Sequence, residues 1–90
     1  MQRIHIWVSG VVVGVGFRYF TVRKAREFGV SGWVRNTPDG KVEVVAEGEK
    51  WQLKELTGSL KVGPSSSSVS GIDAEEEKYQ NEFDGFEVRF

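Results

Sequence analysis

The sequence predicts an α+β sandwich, an antiparallel sheet covered on one face by two helices. Two observations carry this reading. The apolar residues change period from about two residues to about 3.6 and back along the chain, and a Pro-Asp-Gly turn joins two of the alternating runs. The resulting order, βαββαβ with helices at two equivalent places, is that of the ferredoxin-like arrangement.

Ile4, Ile6 and Val8 alternate with Arg3, His5, Trp7 and Ser9, so the chain opens on a half-buried strand. Phe17, Phe20, Thr21, Lys24, Ala25 and Phe28 then fall on one helical stripe, which Gly29 stops. Arg23, Lys24 and Arg26 lie toward the C-terminal end of that helix, where cations suit its dipole. Val30 to Arg35 and Lys41 to Glu47 read as two strands joined through Thr37-Pro38-Asp39-Gly40; proline presets this turn and Asp-Gly closes it as a hairpin. Trp51, Leu53, Leu56 and Leu60 mark a second core-facing helix, in which Gly58 costs about 1 kcal/mol against alanine. Gly63-Pro64 ends it, and Ser65 to Ser68 make a loop between packed elements. Val69, Ile72 and Ala74 start a fourth strand, and Phe86, Val88 and Phe90 alternate with Glu87 and Arg89 as a closing one.

Ninety residues fit one domain, 1–90, with a single modest core. Hydrophobic residues at 39% and charged residues at 28% describe an ordinary soluble globular protein. A net charge of -1 leaves no basic surplus for nucleic acid or an anionic membrane. The absence of cysteine excludes a disulfide framework and a thiolate metal site. Met1 to Ile6 alternates instead of forming a signal-peptide core, and no apolar run of transmembrane length follows, so the expected location is cytoplasmic.

The stretch with chemistry in it is Ser9-Gly10-Val11-Val12-Val13-Gly14-Val15-Gly16-Phe17-Arg18. Its glycines let successive N–H groups turn toward one point, and helix-compatible sequence begins at Phe17. The loop therefore sits at a helix N-terminus, where free N–H groups and the dipole favour an anion. Arg18 stands where a helix prefers negative charge, a misfit that points to a ligand. The plain alternative is a glycine-rich turn with a surface arginine.

With Gly14-Val15-Gly16-Phe17-Arg18 after the first strand and Gly29-Val30-Ser31-Gly32-Trp33-Val34-Arg35-Asn36-Thr37-Pro38-Asp39-Gly40-Lys41-Val42 across the hairpin, the chain resembles the acylphosphatase family along nearly its whole length. Ala46-Glu47-Gly48 and Gly63-Pro64 also fall where that family has them. The resemblance implies hydrolysis of small acyl phosphates to carboxylate and inorganic phosphate. It places the phosphate-binding arginine on Arg18 and the water-positioning asparagine on Asn36, with a backbone cradle of Val13, Gly14, Val15, Gly16, Phe17 and Arg18. A carboxylate leaves without strong acid assistance, so holding phosphoryl oxygens and aiming a water in line is the main task. Neither a metal nor a cofactor is called for, and a monomer is expected.

The family usually has glutamine where this chain has Val13, and often a polar residue at Val11. Valine keeps its N–H but offers no side-chain hydrogen bond, and its branched Cβ resists unusual backbone angles. An alternative reading is therefore a phosphate-binding module with weakened turnover. A second is kinship with the acylphosphatase-like domain of hydrogenase-maturation carbamoyltransferases, against which the chain's ending at Phe90 argues. A third is nucleic-acid binding by Trp7 and Trp33 on the open sheet face, where Glu43 and Glu47 are expected to repel phosphates. His5 reads as an outward sheet residue, Glu75-Glu76-Glu77 as a solvated strand end, and Asn36, on its own, as a turn cap.

Overall fold

The computed structural model describes residues 1–90. Its elements are β1 (Gln2–Val11), α1 (Phe17–Phe28), β2 (Ser31–Asn36), β3 (Val42–Gly48), α2 (Lys50–Val62), β4 (Ser68–Glu77) and β5 (Phe86–Val88). The sheet order is β4-β1-β3-β2-β5. β1 pairs antiparallel with β3 and β4, and β2 with β3. β5, however, pairs parallel with β2, Gly32 opposite Phe86 and Val34 opposite Val88, so the sheet is mixed rather than antiparallel throughout. The cause is the connection 78–85, which carries the chain from the β4 edge to the opposite edge and delivers β5 in the direction of β2.

The core lies between the sheet and the two helices. Ile6, Val8, Val34, Val42, Val44 and Ala46 come from the strands, Phe17 and Ala25 from α1, and Leu53, Leu56 and Leu60 from α2. Burial of these side chains, at roughly 25 cal/mol per Å² of apolar surface, is the main term holding the layers together. Trp51 departs from expectation: it is 61% exposed, because the inward stripe of α2 is carried by the leucines alone. Phe90 departs too, lying beyond β5 and almost fully exposed.

Glu43 and Glu47 do lie on the helix-free face, but they do not meet solvent. Glu43 accepts from Arg35 Nε at 2.6 Å and pairs with His5 Nε2 at 2.6 Å, while His5 Nδ1 faces Glu77 at 2.9 Å. Glu47 accepts from the backbone N–H groups of Gln80 and Glu82 at 2.8 and 3.0 Å and from Arg3 at 3.5 Å. Arg3 also reaches Glu77 and Glu82 at 3.0 and 2.6 Å. Trp7 stacks on His5 at 3.9 Å, and Trp33 lies under the Arg89 guanidinium at 4.8 Å. A layer of paired charges and covered aromatics thus closes this face, and Glu47 pins the crossing connection.

Candidate active site

Between β1 and α1 the backbone is shaped for an anion. A bulge between Ser9 and Gly10 shifts the β1–β4 register, and a Cβ on Gly10 would stand 2.1 Å from the Ser68 carbonyl oxygen, so only glycine fits. Val12 is buried and anchors the strand end. Gly14 and Gly16 each adopt φ +78°, and a Cβ there would meet nothing within 4 Å. Their requirement for glycine is therefore conformational, about 1–2 kcal/mol for another residue in the left-handed region. Gly16 caps α1 without a side-chain hydrogen bond, and no acidic residue occupies the first turn. From Val13 to Tyr19 no backbone N–H reaches a protein acceptor; the first that does is Phe20, bonding the Gly16 carbonyl at 3.0 Å. Seven consecutive N–H groups are thus without an acceptor in the chain at the positive end of the helix, where an anion is favoured.

Five residues of this run, Gly14, Gly16, Phe17, Arg18 and Tyr19, line a cavity of about 90 Å³ together with Val12 and Asn36. That is about three water volumes, room for a group of a few heavy atoms. Arg18 is half-buried, its guanidinium lies 5.3 Å from the centre of the Phe90 ring, and no carboxylate pairs with it. Asn36 ends β2 opposite Val42, on the face that Val34 turns to the core. Its Oδ1 is buried and no protein donor reaches it. Leaving such an acceptor open costs about 1–3 kcal/mol, so this oxygen awaits a donor from outside the chain.

Of the residues the sequence singles out, Gly14, Gly16, Phe17, Arg18 and Asn36 line one cavity. Val13 and Val15 do not line it; Val13 is 43% exposed, and the N–H groups of both have no acceptor within the chain. Val12, inside the stretch singled out but not assigned to the cradle, and Tyr19, just beyond that stretch, line it as well. Tyr19 was detectable in principle, since its N–H belongs to the unpaired first turn that follows Gly16.

The acids with perturbed ionisation lie elsewhere. Burial works against the ionised form of Glu43, but the hydrogen bonds from His5 and Arg35 outweigh it and hold the carboxyl below the usual range. Burial likewise opposes Glu47, outweighed by the N–H groups of Gln80 and Glu82 and by Arg3. His5 and then Arg3 depress Glu77. Each of these carboxylates is already occupied by donors within the fold, so none is free to act on a substrate.

Comparison with known proteins agrees with this geometry. The family model for acylphosphatases matches residues 4–88. An acylphosphatase of Syntrophotalea carbinolica is 47% identical over 88 residues, 98% of this chain and 96% of its own length. The crystal structure of the Bacillus subtilis acylphosphatase superposes with a TM-score of 0.96 at 36% identity, with all of both chains covered. Full-length HypF in its phosphate- and nucleotide-bound form contains a similar region, TM-score 0.88 at 26% identity, spanning 99% of this chain and 12% of that one. The loop of free N–H groups, the unpaired arginine and the open amide oxygen thus stand in a chain that belongs to the acylphosphatase family.

Proposed function

We propose that residues 1–90 form one catalytic domain that hydrolyses the carboxyl–phosphate bond of small acyl phosphates, with Arg18 binding phosphate and Asn36 orienting the water. The observation that carries the roles is the cavity Arg18 and Asn36 share beside the unpaired N–H groups. The guanidinium fork takes two phosphoryl oxygens, and the cradle N–H groups take the charge that spreads over them as the bond to the acyl oxygen lengthens. Asn36 Oδ1 accepts one hydrogen of a water placed in line with that bond. The water oxygen bonds to phosphorus, the electron pair of the breaking P–O bond leaves on the carboxylate, and the water's protons remain with phosphate. No residue need donate a proton to the leaving group, which agrees with a site lacking a free carboxylic acid or histidine. The domain works in this reading as a cytoplasmic monomer, without metal or nucleic acid.

The placement of Val13 supports this reading. Its side chain stands outside the cavity lining while its N–H stays unpaired, so the donor is retained even though a glutamine side chain is not. Steady-state hydrolysis of benzoyl phosphate, with and without a chelator and with inorganic phosphate as competitor, tests the proposal. Chelator-insensitive turnover inhibited by phosphate is expected. Phosphate binding by folded protein without turnover would instead establish the binding-module alternative.

A further inference from the structure

A cavity of about 90 Å³ holds the phosphoryl group but not the acyl group, which must lie against whatever surrounds the mouth. Those surroundings are apolar. The fold leaves seven large apolar side chains exposed, and two of them, both aromatic, stand here. Tyr19 lines the cavity while 73% exposed. Phe90, 99% exposed, lays its ring 5.3 Å from the guanidinium carbon of Arg18. Single exposed apolar residues are ordinary on a protein surface, but two exposed aromatic rings beside one small cavity are a surface with a use.

We infer that Tyr19 and Phe90 form an apolar collar that receives the acyl group, so that this chain prefers acyl phosphates with extended alkyl or aromatic acyl groups over acetyl or carbamoyl phosphate. The inference rests on the hydrolytic reading of the cradle.

The test is kcat/KM along a straight-chain series, acetyl, butyryl and hexanoyl phosphate, in which the acidity of the leaving carboxylic acid is nearly constant. Full burial of a methylene is worth roughly fourfold in binding, and a chain laid on an open rim keeps about half of that free energy, or roughly twofold per methylene. From acetyl to hexanoyl phosphate the expected rise is therefore about fifteenfold, carried mostly by KM because the contact is made before and during the chemical step alike. Tyr19→Ser and Phe90→Ala are each expected to lower the rise, and the double variant to bring it below about threefold by removing the aromatic area. The rise is a ratio within one variant, so a loss of activity common to the series does not imitate it. Hydrolysis of every member with a flat series, or a rise that survives the double variant, overturns the collar and leaves the hydrolytic reading standing. Hydrolysis of none overturns both.

Discussion

Replacing Arg18 with alanine is expected to separate activity from stability. The side chain stands in the first turn of α1, where a cation is unfavourable by about 0.3–1 kcal/mol. Its packing partner is the exposed Phe90 ring, a contact worth about 0.5–1 kcal/mol at such a site. The two terms have opposite sign and similar size, so Tm should move by less than about 5 °C for a domain of this length. Catalysis faces no such cancellation. Two charge-assisted hydrogen bonds to phosphoryl oxygens, at about 1.5–3 kcal/mol each, amount to at least about 3 kcal/mol, or a loss of more than about 150-fold in kcat/KM. Arg18→Lys keeps the charge without the planar fork and should recover part of this, remaining at least about tenfold below the parent. The assays are benzoyl phosphate hydrolysis and thermal unfolding on the same preparations. Activity of Arg18→Ala within threefold of the parent would remove the residue from the mechanism, and a Tm lower by more than about 10 °C would make it structural.

Asn36→Ala should lose about 10²–10³ in kcat with no fall in Tm, because the change removes both the acceptor for water and a buried oxygen that has no partner; a lower Tm with kcat retained would show that the amide caps the turn instead. Gly16→Ala forces a side chain into φ +78°, costing about 1–2 kcal/mol and turning cradle donors away, so both Tm and kcat/KM should fall; an unaffected kcat/KM would free the Gly16 conformation from any role. Acid titration probes the opposite face. Glu43, Glu47 and Glu77 ionise below the usual glutamate value of 4.5, so the unfolded chain binds more protons there and stability rises with pH. Their contribution is complete above about pH 4.5 and is lost as pH falls through the lowered folded values. Glu47→Gln, which leaves one buried oxygen where two N–H groups and Arg3 converge, should lower the urea midpoint at pH 7 and flatten this acid slope. An unchanged slope would place the perturbation elsewhere.

The elements that the chain announces locally are those found. The glycine spacing before Phe17 becomes a left-handed turn with free donors, and Thr37-Pro38-Asp39-Gly40 becomes a closed turn in which Thr37 N–H bonds the Lys41 carbonyl at 2.8 Å. Alternation placed Glu43 and Glu47 on the helix-free face, but a period of two says nothing about what lies above a residue. Their partners Arg35, His5, Arg3, Gln80 and Glu82 come from three other parts of the chain. The direction of β5 was equally hidden, since three paired residues carry no signal of orientation and the crossing connection sets it. Trp51 misled because a large aromatic beside core leucines resembles core on a helical pattern, whereas the inward arc of α2 is filled by Leu53, Leu56 and Leu60. In the site, Arg18 and Asn36 needed the family pattern to be joined. Only three-dimensional structure brings the end of β2 beside the first turn of α1.

The site and the helix-free face are energetically complementary. The site assembles features that each weaken a fold: two left-handed glycines, an uncapped helix start, a cation at the positive end of a dipole and a buried amide oxygen without a donor. On the proposed roles, the free N–H groups, the guanidinium and the amide oxygen are groups whose missing partner a phosphate or its attacking water would supply, so they cannot be repaired without being disabled. The other face does the reverse. There every buried carboxylate has donors, and Glu47 ties the connection 78–85 from which β5 leads to Phe90 beside Arg18. The same anchoring therefore serves stability and keeps the Phe90 side of the cavity mouth in place. By this argument the Glu47→Gln change, made far from the chemistry, should also reduce the chain-length preference among acyl phosphates, through Phe90 rather than through Arg18 or Asn36. A loss confined to stability, with the preference intact at a temperature where the variant is folded, would show that β5 holds Phe90 without help from Glu47.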